Sequence, residues 1–277
     1  MTLRSRLAAS TPSLGSIAVA TTALTFVLML LGIWTAVGGY GLTCEGRWPF
    51  CDGAVFGLFP ANFGSFVEWF HRLVAMVTGF AIMGTAIAAW RGGAARRVQA
   101  AFVLALLITP MQIVLGALTV TTYERLILAL HFGSALAILA FLVAGTAWTV
   151  ESLPSIDRLA TVAALALPPA LVLTPGVFVE YLLELHLLYN ALGLGAFVAL
   201  FLASLGASTD SALPRLAAGL GAGATALALV VGRVRLDATG QATILLGLGV
   251  ALAMALATIL LSRHGAGVGR SMGSTHP

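Results

Sequence analysis

The chain contains no lysine and few charged residues of either sign. Its 277 residues include 14 basic residues, all arginine, and 10 acidic residues, so charged residues make up only 9%. Hydrophobic residues make up 60%, and the mean hydropathy is +1.03. A water-soluble domain does not need so much apolar material, whereas a protein that crosses a bilayer repeatedly does. The arginines lie between apolar runs, so the net charge of +4 indicates membrane topology and no nucleic-acid partner is expected.

Eight apolar runs are candidates for transmembrane helices. They cover residues 16–37, 67–90, 98–120, 126–150, 159–174, 178–205, 216–231 and 241–262. The fifth run is the least regular, because Pro168 and Pro169 lie inside it and Pro175 ends it. The first run lacks the form of a cleavable signal peptide and is expected to remain as a helix. The sequence therefore predicts an all-α polytopic membrane protein with eight transmembrane helices.

The arginines predict the orientation of these helices. On the side of the N-terminus lie Arg4, Arg6, Arg91, Arg96, Arg97, Arg158, Arg215, Arg263 and Arg270. On the other side lie Arg47, Arg72, Arg125, Arg233 and Arg235. Cytoplasmic loops carry the excess of basic residues. We therefore expect a plasma-membrane protein with both termini in the cytoplasm and the loop between the first two helices outside.

The two halves of the chain resemble each other. "FVEWFHRLVAMVTG" opens the second helix and "FVEYLLELHLLYNALG" opens the sixth. His131 lies six positions after Arg125, and Gln241 lies six positions after Arg235. The polar linker 151–158 divides the chain between these segments. We expect two pseudo-repeated four-helix bundles, formed by residues 1–150 and 151–277.

Three histidines fall inside predicted helices at similar depth, His71, His131 and His186. An ionisable side chain within a membrane is a candidate functional site. Neutral imidazoles on two parallel helices of a bundle can bind an iron porphyrin from both faces, and His71 and His131 form such a pair in the first half. The alternative for each histidine is a structural hydrogen bond between helices.

Glu68 precedes His71 by three residues, so both are expected on one helical face. A carboxylate there could move protons or stabilise positive charge on a substrate. The alternative is an ion pair with Arg72, four residues further on, that anchors the end of the helix.

The loop "GYGLTCEGRWPFCDG" contains the only two cysteines, Cys44 and Cys51. A short loop on the oxidising side of a membrane predicts a disulfide. A redox-active bridge is an alternative, because exposed disulfides exchange. A metal site is disfavoured, since two cysteines alone are a poor set of zinc ligands.

Taken together, these motifs resemble the heme A synthase family of cytochrome oxidase biogenesis. The loop is similar to its G-x-G-L-x-C-x-x-W-P-x-C signature, with one additional residue before the tryptophan. The E-x-x-H-R motif of the family is matched by Glu68, His71 and Arg72. The matches in the loop and in the third and fourth helices are Gly39, Gly41, Leu42, Cys44, Trp48, Pro49, Cys51, Gln112, Leu115, Gly116, Thr119, Val120 and His131.

The resemblance implies oxidation of a ring methyl of heme O, by successive hydroxylations, to the formyl group of heme A. It implies that His71 and His131 hold the substrate porphyrin and that Glu68 assists the chemistry. The cysteine pair would support the loop or take part in redox exchange. The partners to be expected are an electron donor, a heme O synthase, membrane lipid and a second copy of the chain.

The second half departs from the family pattern. Family members commonly bind a resident heme b between histidines of the sixth and eighth helices. His186 fits the first position, but Gln241 stands where its partner is expected, so an empty or weak site is predicted. An arginine that often precedes the loop glycines is also missing. Arg47, Arg72 and Arg125 are the candidates for contacts with heme propionates.

Three other functions remain open at this point. A b-type cytochrome would hold a permanent heme between His71 and His131 without altering it. A membrane thiol–disulfide oxidoreductase would depend on the two cysteines and not on the histidines. A transporter is disfavoured, because the sequence shows no mid-bilayer charge and no paired broken helices.

Overall fold

In the part of the chain that the structure describes, there are eight helices, with a short strand pair between the first two. The computed structural model describes residues 13–44, 47, 49–51, 54–55, 58–60, 62–122, 124–180, 182–206, 212–234 and 237–273. Arg4, Arg6, Trp48, Arg235 and His276 lie outside these residues. The helices are α1 (Leu14–Val37), α2 (Phe63–Arg91), α3 (Arg96–Thr121), α4 (Arg125–Ala147), α5 (Ile156–Val172), α6 (Leu183–Leu205), α7 (Leu213–Val234) and α8 (Ala238–Gly273).

Within the described residues, seven helices are long and apolar enough to cross a membrane, and the protein is a multi-pass membrane protein. The exception is α5, whose 17 residues span only about 25 Å at 1.5 Å per residue, against a hydrocarbon core of about 30 Å. Large apolar side chains face outward, as expected of a lipid-facing surface: Trp90 and Leu165 are each 72% exposed.

Two helices, α2 and α6, begin four or more residues away from the first residue of their apolar runs. Helix α2 begins at Phe63, four residues before the run, because the Asn62 side chain caps it by accepting a hydrogen bond of 2.8 Å from the Ser65 amide. Helix α6 begins at Leu183, five residues into its run, because a turn occupies the segment before it, where Gly176 has a φ of +73°.

The loop between α1 and α2 contains the strands β1 (Ala54–Val55) and β2 (Phe59–Pro60). They pair antiparallel, with Ala54 opposite Pro60 and Val55 opposite Phe59. The all-helical prediction did not include this ladder, since strands of two residues leave no periodic signal.

Helix packing defines the setting of the candidate site. Helices α1 and α3 each contact α2 and α4. In the other half, α5 and α7 each contact α6 and α8. The halves meet where α1 contacts α6 and where α4 contacts α6 and α7. Helices α2 and α4 therefore lie across from each other in their group, with α1 and α3 on either side.

Small and hydroxyl-bearing residues hold the first four helices close together. The Thr21 and Thr85 hydroxyls lie 2.9 Å apart and join α1 to α2, while Thr22 and Thr146 lie 2.8 Å apart and join α1 to α4. Such hydrogen bonds contribute to helix association where apolar burial against lipid provides little driving force.

Candidate functional site

His71 lies two turns into α2, and its ring packs against the backbone of α1 at Gly32. A Cβ atom built on Gly32 would lie 3.1 Å from the imidazole Cε1. The side chain is half-buried, and its Nδ1 is buried with no hydrogen-bond partner among the described residues. The absence of a side chain at position 32 provides the space for this ring.

His131 lies near the start of α4 and is placed against α3 in the same manner. A Cβ atom on Gly116 would lie 3.1 Å from its Cε1. The Gln112 amide nitrogen lies 3.3 Å from the Nε2 of His131, and the Ser134 hydroxyl donates to the Gln112 carbonyl oxygen. The Nδ1 of His131 is buried without a partner in the described part of the chain. Gln112 and Gly116 are one turn apart on α3 and meet the same ring.

The two histidines lie on α2 and α4, which face each other across their shared neighbours α1 and α3. Each ring has a glycine behind it and a buried Nδ1 that has no hydrogen-bond partner among the described residues. Of these two histidines, only His131 has a side-chain hydrogen-bond partner among the described residues, Gln112. The alternative of a structural hydrogen bond between helices therefore applies to His131 and not to His71. Two neutral imidazoles on the facing helices of a bundle suit an iron porphyrin. The residues present fit that group.

Glu68 is directed toward the cysteine loop. Its side chain is only 2% exposed, and the carboxylate accepts hydrogen bonds from the Thr43 hydroxyl at 2.9 Å and the Cys44 amide at 2.7 Å. It also forms an ion pair with Arg72. Burial of an ionised carboxylate is costly, and these three donors offset that cost. The ion pair considered from the sequence is therefore present.

Cys44 and Cys51 form a disulfide, as predicted. Both residues are buried, with 1% and 6% of their surface exposed, and they pack against Trp69 on the second turn of α2. The Trp69 indole donates a hydrogen bond of 2.9 Å to the Pro49 carbonyl. The loop is thereby fastened to the helix that carries His71.

Of the three arginines considered for propionates, two belong to the loop contact. Arg72 donates to the Arg47 carbonyl at 2.9 Å, and the Arg47 side chain donates to the Cys44 carbonyl at 3.5 Å. Arg125 is the first residue of α4 and is exposed.

In the second half, His186 is buried near the start of α6 beside a polar group from α7. The Asn190 amide donates to the His186 carbonyl at 2.8 Å, and Arg233 donates to the Asn190 side-chain oxygen at 3.0 Å. The Arg233 guanidinium carbon also lies 4.7 Å from the centre of the Phe132 ring on α4. Arg233 therefore contacts the residue next to His131.

Gln241 occupies the fourth position of α8, as His186 does in α6. Its amide nitrogen donates to the Gly176 carbonyl at 3.1 Å, in the turn before α6. A small cavity beside His186 is lined from α8 by Ile244 and from α6 also by Tyr189, whose buried hydroxyl has no partner among the described residues. The structure thus does not place Gln241 among the residues that line this cavity.

At these sites, sequence reasoning missed Gly32 and the contact of Arg233, and it named Gln112 and Gly116 as motif matches without predicting what they contact. Gly32 carries no local signal, because its role depends on which helix packs against it. Gln112 and Gly116 stand four residues apart, a spacing that puts them on one helix face, but their target could not be read from it. Arg233 was assigned only to topology, although an arginine near a predicted helix end is also a candidate for a buried contact.

The fold and site define a class of protein, a multi-pass membrane protein with histidines paired across a four-helix group. Among known families, the cytochrome oxidase assembly protein family matches residues 58–215, more than half of the chain. The chain belongs to that family. The resemblance to heme A synthases is thereby confirmed.

Curated relatives carry two names. The chain is 35% identical to a heme A synthase of Bacillus licheniformis over 121 residues, 43% of this chain and 39% of that protein. It is 29% identical to a heme A synthase of Halalkalibacterium halodurans over 175 residues, 62% and 54% of the two chains. It is 38% identical to a protoheme IX farnesyltransferase of Halobacterium salinarum over 128 residues, 46% and 28% of the two chains. The chain therefore spans about a quarter to about half of the length of these relatives.

Proposed function

We propose that this protein is a heme A synthase, a membrane oxidoreductase that converts a ring methyl of heme O to the formyl group of heme A by successive hydroxylations. The observation that carries the proposal is the pair His71 and His131 on facing helices. Each ring packs on a glycine, and each has a buried nitrogen with no hydrogen-bond partner in the described part of the chain. Membership of the cytochrome oxidase assembly protein family supports it.

The names of the relatives support heme as the molecule handled. Both names concern heme, but the match to the farnesyltransferase covers only 28% of that protein. The larger matches, in terms of the relative's own length, are to heme A synthases. We therefore assign to this chain an action on heme and not the transfer of a farnesyl group.

We further propose that the chain is one four-helix unit used twice, as residues 1–150 and 151–277. The order of neighbours supports this division, because the first and third helices of each half contact the second and fourth. In the first half, His71 and His131 would hold the porphyrin of heme O from both sides. When bound, the porphyrin supplies the methyl group to be oxidised and the iron that the imidazoles ligate.

Glu68 has two parts in this proposal. Its buried carboxylate fixes the loop, through the Cys44 amide and Thr43, to the helix that carries His71. The same negative charge, next to Arg72, would stabilise positive charge that develops on the substrate. Arg72, Arg47 and Arg125 remain candidates for contacts with the propionates. The disulfide is assigned a structural part, because both cysteines are buried under Trp69.

The cellular setting follows from the same proposal. Heme O would come from a heme O synthase, and an electron donor would serve the reaction. We place the protein in the plasma membrane with both termini in the cytoplasm and the cysteine loop outside. Association with a second copy of the chain is compatible with this arrangement.

The test is to express the full chain in a host that makes heme O but lacks a heme A synthase, and to separate the extracted hemes by chromatography and mass. We expect heme A with the natural chain and none with His71→Ala or His131→Ala. His264→Ala, which changes an exposed histidine at the far end of α8, is the matched control and should retain the product.

Two outcomes would contradict the proposal. Bound heme without any heme A product would indicate a b-type cytochrome. Loss of function in serine variants of the cysteines, together with full function in the histidine variants, would indicate a thiol–disulfide oxidoreductase.

A further inference from the structure

We propose that this protein binds a single heme, between α2 and α4, and that its C-terminal half contains a hydrogen-bonded polar cluster where a second heme would lie. The polar cluster comprises His186, Tyr189, Asn190 and Arg233. This inference rests on the proposed function, since it concerns how many hemes the synthase holds.

The first argument is the donor set. A low-spin heme in a helix bundle needs an axial ligand from each of two facing helices. Helix α6 offers His186, but at the matching position α8 offers Gln241, and a carboxamide is a poor ligand for iron beside imidazole. The Gln241 amide is also engaged, because it donates to the Gly176 carbonyl at 3.1 Å. The α8 residue that lines the cavity is Ile244, which cannot ligate iron.

The second argument is space. The cavity beside His186 has a volume of about 10 Å³, roughly the room for a single water, whereas pockets for larger organic ligands hold roughly 300–1,000 Å³. Tyr189, Asn190 and Arg233 line this cavity together with His186. Gly32 and Gly116 face the two histidines of the first half, whereas Gly232, the glycine of α7 that lines this cavity, faces Ile244 and the Tyr189 hydroxyl, which would lie 3.6 and 3.9 Å from an added Cβ.

The third argument is what the polar cluster does instead. Arg233 bonds Asn190 on α6 and lies over the Phe132 ring on α4, so it links three helices across the junction of the two halves. Arg233 is half-buried, and a charged side chain in a membrane helix is costly and is retained where it serves a purpose. Phe132 follows His131 in sequence, so the polar cluster supports the helix that carries one proposed ligand of the first half.

The experiment is a titration of the purified, heme-free full-length protein in detergent with iron protoporphyrin IX. The equivalents that produce a low-spin spectrum are counted, and adventitious heme in the detergent is recognised by its lack of that spectrum. We expect saturation at one equivalent for the natural chain and for His186→Ala. We expect loss of the low-spin spectrum in His71→Ala and in His131→Ala.

Gln241→His tests whether the second site lacks only a ligand. We expect one equivalent again, because Ile244 and Arg233 still occupy the space. The number of hemes bound by the natural chain is measured independently of this variant. The inference can therefore be tested even if His186→Ala does not fold.

A second low-spin equivalent in the natural chain or in Gln241→His would overturn the inference, as would a second, high-spin equivalent that disappears in His186→Ala. These results would leave the proposed function intact. A natural chain that takes up no heme would instead refute both.

Discussion

The glycines behind the two histidines give the sharpest test of the site. Replacing Gly32 or Gly116 with alanine adds one methyl group, which would lie 3.1 Å from the imidazole Cε1 in each case. Carbon atoms pack best at about 3.5–4.0 Å, so each ring must move by a few tenths of an ångström or more. Neither substitution touches a candidate ligand directly. The change therefore probes the position of the rings.

The expected magnitude follows from the cost of overpacking. Forcing an extra methylene into a well-packed site costs about 1–3 kcal/mol. If that cost appears in the bound state, the Kd for heme rises roughly 5- to 150-fold, at 1.4 kcal/mol per factor of ten. Alanine is the better helix former by about 1 kcal/mol, so a weaker helix cannot account for weaker binding.

The assay is the titration with iron protoporphyrin IX, followed through the low-spin absorption bands, together with heme A formation in cells. Gly84→Ala is the matched control, because Gly84 also lies in α2 and a Cβ there would meet nothing within 4 Å. We expect Gly84→Ala to bind heme as the natural chain does. Equal affinities in all three variants would refute the assignment of the two rings to a heme site.

Three further predictions concern the loop and are checked by unfolding, titration and reduction. Replacing Cys44 and Cys51 together by serine should lower the free energy of unfolding by about 2.5 kcal/mol, the chain-entropy value for a bridge with a sequence separation of 7. Heme binding, measured by the titration, should be retained. Its loss would contradict a structural disulfide. Glu68→Gln keeps an acceptor for the loop amide and should lower the free energy of unfolding by about 1.5–3 kcal/mol, whereas Glu68→Ala should lower it by about 3–5 kcal/mol. Thermal unfolding measures both values. Equal losses would show that the carboxylate does not hold the loop. Trp69→Phe removes the hydrogen bond to the Pro49 carbonyl, worth about 1 kcal/mol, and should speed reduction of the disulfide by dithiothreitol roughly 5-fold. An unchanged rate would show that this hydrogen bond does not protect the disulfide.

The helices could be read from the sequence because lipid imposes a strong constraint on length and apolarity. Each of the eight apolar runs corresponds to a helix in the structure. The first and last residues of the helices were harder to predict, because polar side chains and turns determine where a helix begins and ends. Asn62 caps α2 outside the apolar run, and Gly176 places a turn inside the run before α6. The shortness of α5 could be read, since the fifth run, 159–174, covers only 16 residues and the helix has 17.

The types of residue at the site could be predicted from the sequence, but the contacts between them could not. His71 and His131 stood out because ionisable groups are rare in apolar helices. Which residues face them depends on the register between helices, which local periodicity does not encode. Gly32 illustrates this, because nothing around it in the sequence indicates that a ring from α2 lies against it. The same limit applies to Phe132, whose contact with Arg233 joins residues 101 positions apart.

The placement of Glu68, His71 and Arg72 explains why three ionisable residues can share the start of one membrane helix. Successive residues of a helix are turned by about 100°, so Glu68 lies about 40° from Arg72 and about 60° from His71 around the helix. The acid and the arginine pair with each other at the loop, while the imidazole packs on Gly32. Because all three belong to one and a half turns of one helix, a shift of the backbone at Glu68 also shifts the ring. Glu68→Ala, which removes the hydrogen bonds between the loop and Glu68, should therefore weaken heme binding at His71 in the titration, whereas the cysteine double variant keeps those contacts and should not.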